Sequence, residues 1–176
     1  MLELIVTVAI ISIIAAIAYP SMTELVNANR LAGGANEMVA SLQLARMEAV
    51  RLNTTVTVCR STDGATCSVG GTWNSWIIIA DADRDGAVDD VLRTSSVNAP
   101  LQVMTSAAIV GSKVAFKSDG MARASDGSLL KANIAVCMPT AKPALNERWI
   151  TIATGSRVSS RPENGAGQCD APDNPN

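Results

Sequence analysis

The 176-residue sequence predicts an α+β fold, with one long N-terminal helix laid against antiparallel strands. Three observations carry that expectation. The stretch from Leu4 to Tyr19 is uncharged and dominated by Ile, Ala and Val. From Pro20 to Leu52 apolar residues recur at helical spacing, and beyond Leu52 they alternate with polar ones at the period of a strand.

The helix comes first. Leu25, Ala28, Ala32, Ala35, Met38, Val39, Leu42, Ala45, Ala49 and Leu52 form one apolar stripe, while Glu24, Arg30, Glu37, Arg46, Glu48 and Arg51 fall mostly off it. Pro20 lacks an N–H and crowds the preceding turn, so a kink or loosening is expected there. Gly33-Gly34 is a second soft point. The pattern predicts a single rod of about 50 residues, about 75 Å long. Its first half is apolar all round and is expected to protrude; its second half is amphipathic and is expected to pack on the sheet. The expected division is an apolar segment over 1–24 and a globular head over 25–176. Within the head, the helix takes 25–52, strands take 53–160 and a C-terminal loop takes 161–176.

Glu3 stands at the start of this apolar run. Leu4 to Tyr19 is 16 residues, short of the roughly 20 that span a bilayer comfortably. Ala16-Ile17-Ala18 looks like a secretory cleavage site, but a secretory signal needs a positively charged n-region and this one carries a carboxylate. A plain membrane anchor tolerates Glu3 near the interface without explaining it. A segment that packs against other copies of itself gives the charge a use.

The strands follow. Thr54–Arg60, Ser75–Ala80, Val91–Val97, Leu101–Ser106, Ser112–Lys117, Ala132–Met138 and Arg148–Ala153 read as β, separated by turns such as Ser118-Asp119-Gly120 and Ser125-Asp126-Gly127. Trp73, Trp76 and Trp149 have the chemistry to stack bases, but packing against a sheet is the expected role. The tail from Arg161 reads as loop, pinned if Cys169 is bridged.

Composition removes whole classes of function. The chain has no histidine, which takes away the commonest general base and metal ligand, and no phosphate-cradling glycine motif is present. No enzyme chemistry and no cofactor are therefore expected. Lys plus Arg total 14 against 16 Asp plus Glu, a balance unsuited to wrapping nucleic acid. Cys59, Cys67, Cys137 and Cys169 contain no C-x-x-C pair and fit two disulfides in an oxidising compartment. Three pairings are open, of which local order favours Cys59–Cys67 and Cys137–Cys169. Asp81, Asp83, Asp85, Gly86 and Asp89 echo the start of a calcium loop, but Leu92 stands where the bidentate Glu belongs. An exposed hairpin turn is the expectation, with calcium a weak candidate.

The Glu ahead of an apolar helix, with a Pro after Ala18-Tyr19, resembles the N-terminus of type IV pilins and type II secretion pseudopilins. The stretches LARMEAVRLNTTVTVCRS, WNSWIIIADADRDGAVDDVLR and RWITIATGSRV resemble, in order, segments of the GspH/FimT family of minor pilins and pseudopilins. The resemblance implies the type IV pilin fold and a structural subunit that primes or caps a type IV pilus. It implies other major and minor pilins as partners, and the bacterial inner membrane as the site before assembly, with the head in the periplasm. It also implies that Glu3 pairs with a neighbouring subunit's N-terminal amine. The family's leader, its glycine and its first mature residues do not precede Glu3 here, so a truncated or mis-started chain is expected. Two alternatives share the resemblance. One is a type II secretion minor pseudopilin. The other is a DNA-binding pilin for natural transformation, with Lys142, Arg148, Arg157 and Arg161 as candidates. Family members of that kind carry Gly-Arg-x-Arg, whereas here Gly155 precedes Ser156 and the two arginines are four apart.

Overall fold

The computed structural model describes residues 2–81 and 90–175, with the side chains of residues 15–21 outside that description. One helix, α1, runs from Leu2 to Leu52, 51 residues and about 76 Å at 1.5 Å per residue. It is assigned without a break through Pro20 and through Gly33-Gly34. Asn53 ends it in the left-handed region, φ 51°, a conformation Asn tolerates, and the amide of Thr54 returns to the Ala49 carbonyl at 3.2 Å.

The buried face of α1 is Leu31, Ala35, Met38, Leu42, Ala45 and Ala49, a strict alternation of four and three residues. At its N-terminal end the stripe read from sequence is displaced. Leu25 is 56% exposed and Leu31, off that stripe, is 1% exposed. The Asn27 amide donates to the Lys142 carbonyl at 3.1 Å and Glu24 borders the head there too, but Leu25 lies about 120° around the helix from Leu31. At Gly34 the helix comes closest to the sheet: an added Cβ would stand 3.1 Å from Val136 Cγ1 and 3.2 Å from Leu101 Cδ1. The second soft point of the sequence is thus a place of close packing.

Among the described residues the strands are β1 (Val56–Arg60), β2 (Ser75–Ala80), β3 (Asp90–Ser96), β4 (Gln102–Thr105), β5 (Lys113–Phe116), β6 (Ala122–Arg123), β7 (Ala132–Cys137), β8 (Glu147–Ile152) and β9 (Val158–Glu163). They form two antiparallel sheets, ordered β3-β2-β1-β5-β6 and β4-β7-β8-β9. Each turns its alternate apolar residues toward α1: Val56, Val58, Trp76, Ile78, Val114 and Phe116 from the first, Val103, Ile134, Val136, Ile150 and Ile152 from the second. Trp73 and Trp76 are fully buried, and Trp76 Nε1 donates to Ser41 Oγ of α1 at 2.9 Å.

β9 corrects the expectation of loop from Arg161. VSSRPE has no apolar alternation and contains Pro162, features that argue against a strand. It pairs as the terminal strand of its sheet, where one rim is free and a missing N–H costs little. Beyond it the tail doubles back over the outer face of the second sheet. There the Asn146 amide donates to the carbonyls of Met138 and Gln168, and Asn133 Nδ2 donates to the Asp173 carbonyl at 2.7 Å. Cys169 is bridged to Cys137 and Cys67 to Cys59. Covered by α1 on one side and by the tail on the other, β7 is buried at every residue.

Candidate assembly surface

The residues of α1 opposite its buried face are Met22, Val26, Asn29, Gly33, Asn36, Ala40, Gln43, Met47 and Val50. All nine are exposed, their spacing alternates between three and four, and none is charged. Of the charges that flank this seam, Arg30 stands exposed and the others are engaged. Glu37 accepts from Arg93 and from Ser95, each at 2.8 Å, Arg46 donates to the Ser156 carbonyl at 3.0 Å, and Glu48 pairs with Arg51. An uncharged ridge therefore runs the length of the head, available to another helix.

The ridge shares α1 with the N-terminal half, where Leu2, Leu4, Ile5, Val6, Val8, Ile10, Ile11, Ile13 and Ile14 are all exposed. The hydroxyls there are satisfied within the helix: Thr7 Oγ1 donates to the Leu4 carbonyl at 2.9 Å and Ser12 Oγ to that of Ala9 at 2.8 Å. Neither needs a partner outside the rod. Glu3 lies in the first turn, where a carboxylate suits the positive end of the helix dipole. Among the described residues no helix is long and apolar enough to cross a membrane.

The four cations singled out in the sequence do not converge. Lys142 sits in the loop beside Asn27 of α1, and Arg148 borders a groove with Glu24, Ala28 and Leu31. Arg161 is on the other face of the sheet, 5.3 Å over the Trp149 ring and 3.0 Å from Glu163. Arg157 belongs to the turn held by Arg46, nineteen residues along α1 from Asn27, about 28 Å away. Of the acidic candidates, Asp83, Asp85 and Asp89 lie outside the described residues. Asp81 follows β2, its amide donating to the Thr55 carbonyl and its own carbonyl accepting from the Thr54 hydroxyl. Among the described residues no group of three or more His, Cys, Asp or Glu converges to hold a metal.

Sequence reasoning passed over Gly33, Asn36, Ala40 and Gln43. Their signal was present as a second, uncharged heptad line opposite the apolar stripe, but stripes are conventionally sought by hydrophobicity, and these residues have little.

A family model described as type II transport protein GspH matches residues 34–155. No curated protein matches the sequence. Among solved structures, the type IV minor pilin FimU of Pseudomonas aeruginosa is similar at 21% identity and a TM-score of 0.57, covering 76% of this chain and 90% of that one. The minor pseudopilin EpsH of the Vibrio cholerae type 2 secretion system is similar at 12% identity and a TM-score of 0.53, covering 76% and 97%. At these identities the likeness is one of fold.

Proposed function

Because the chain belongs to the GspH family of type II transport proteins, we propose that it is a non-enzymatic minor pilin that primes or caps a type IV pilus through helix–helix packing in the fibre core. The observation that carries this reading is the uncharged ridge of α1, which prolongs the exposed apolar half onto the head. In this reading residues 1–24 are held at the inner membrane before assembly and move into the fibre, while the head, 25–176, selects neighbours. Apolar burial from water supplies about 25 cal/mol per Å². From lipid that term largely vanishes, so transfer draws on close packing, on Glu3 meeting a neighbour's amine and on the assembly machinery.

Ala40→Arg tests the ridge. It places a long cation on an exposed helix position, where the effect on the head stays within about 0.5 kcal/mol. Incorporation into fibres, read by immunoblot of sheared pili, is expected to collapse; wild-type incorporation would overturn the reading. Glu3→Ala is expected to impair incorporation with the head's melting unchanged, and undiminished incorporation would remove the role given to Glu3. A second reading, a minor pseudopilin of a type II secretion system, is favoured by the family's own description. It uses the same ridge, and deletion decides between them: loss of secretion with twitching intact selects it. The third reading, DNA uptake, draws no support from four cations spread over two faces and both ends of the head.

A further inference from the structure

The outer face of the second sheet carries a feature that assembly through α1 leaves unused. Where the tail crosses back over the strands it walls one side of an open cavity of about 570 Å³ bordered by Asn133, Trp149, Thr151, Arg161, Asp173 and Asn174. That volume falls within the few hundred to a thousand Å³ common to small-molecule sites. Its walls are preorganised. The tail is fixed by the Cys137–Cys169 bridge, by Asn133 on the Asp173 carbonyl and by Asn174 Oδ1, which accepts from the Ala108 amide at 3.0 Å. The floor is fixed too, since Thr151 Oγ1 donates to Asn133 Oδ1 at 2.7 Å and Trp149 Nε1 to Glu147 Oε2 at 2.6 Å.

The lining selects its ligand by chemistry. Arg161 is the one cation on it, and Glu163 neutralises that charge at 3.0 Å. The Asp173 carboxylate makes no hydrogen bond or ion pair among the described residues, so the cavity presents net negative charge and repels phosphates. One indole among amides, a hydroxyl and a carboxylate is too polar a lining for a lipid. A neutral polyhydroxylated ring meets both requirements. Its hydroxyls donate to Asp173 and both donate to and accept from the amides, and its C–H face suits the electron-rich indole surface once the exposed Arg161 guanidinium, 5.3 Å over that ring, swings aside. We propose that this cavity binds a neutral saccharide, packed against Trp149 and hydrogen-bonded by Asp173, Asn174 and Thr151.

Three tryptophans make the test selective. The full chain, ¹⁵N-labelled at the indoles in micelles without sugar headgroups, is titrated with glucose, galactose, mannose, N-acetylglucosamine and their β-1,4-linked dimers. At least one sugar is expected to move the Trp149 indole resonance saturably, with a Kd of about 1 mM or tighter, leaving the buried Trp73 and Trp76 in place. Asp173→Ala, at an exposed tail position, is expected to weaken that sugar about tenfold with the spectrum otherwise intact. Trp149→Ala is expected to abolish binding; where it disturbs the fold, Asp173→Ala alone decides. Unmoved Trp149 signals across the panel, equal affinity in Asp173→Ala, or a response to a single-stranded oligonucleotide in place of the sugars would each overturn the proposal.

Discussion

The hydroxyl of Ser41 accepts the indole N–H of Trp76 inside the interface between α1 and the first sheet, both residues fully buried. Removing the acceptor leaves a desolvated donor with nothing to bind, a loss of about 1–3 kcal/mol. Ser41→Ala is therefore expected to lower the melting temperature measurably, whereas Ser41→Thr keeps the hydroxyl. A thermal melt without a drop for Ser41→Ala would show the indole finding another acceptor. A second residue with outsized influence is Asp63, inside the Cys59–Cys67 loop. Its carboxylate accepts from the Thr66 hydroxyl and amide, from the Ala65 amide and from the Ser61 hydroxyl, which hold its pKa far below the ordinary carboxylate value. A depressed native pKa means the carboxylate's stabilisation is complete above the unfolded value, about 3.9, and is lost only as pH falls through the native one. The Ala65 and Thr66 amide resonances are thus expected to hold steady from pH 7 to about pH 4. Asp63→Asn should shift them at every pH; a wild-type transition at ordinary carboxylate pH would contradict the ordering.

At the scale of the element, Gly33 and Gly34 are neighbours with opposite assignments. A Cβ at Gly33 meets nothing within 4 Å, while at Gly34 it presses on Val136 and Leu101. Gly33→Ala is expected to stabilise the head by about 0.5–1 kcal/mol, the helical advantage of Ala over Gly. Gly34→Ala should forfeit that gain and cost about 1 kcal/mol or more through overpacking. Denaturant melts of the two variants check the difference, and equal stabilities would remove the close approach. The sequence could not separate this pair, because both read as helix weakness and only the position of Val136, a hundred residues away, distinguishes them. The long helix and seven strands were legible because their periods, 3.6 and 2, are written in apolar spacing. β9 was not, because VSSRPE is held by backbone pairing that leaves no side-chain period. The ridge was half legible: its spacing is in the sequence, but which face is outward depends on where the sheets dock.

For the whole molecule, the tail is what turns an exposed sheet face into a covered one. The Cys137–Cys169 bridge closes a loop with a sequence separation of 32, and loss of such a cross-link costs about 2–4 kcal/mol. The double variant Cys137→Ala/Cys169→Ser is expected to melt earlier by that amount. Hydrogen exchange should rise over residues 165–173 and at β7 while leaving the first sheet unchanged. Uniform exchange changes across both sheets would mean that the tail supports the entire core. The legibility of the four cations fails at this same scale, since closeness in sequence near the C-terminus became separation across two faces of a sheet.

Pro162 gives the molecule a property that neither sheet nor helix has alone. β9 is a terminal strand, as β4, β3 and β6 are, and an open rim is a template on which a further strand can nucleate. A proline on a terminal strand is one of the devices that discourage such pairing. In the proposed fibre, neighbouring subunits brought together by their helices are then less prone to join through this edge.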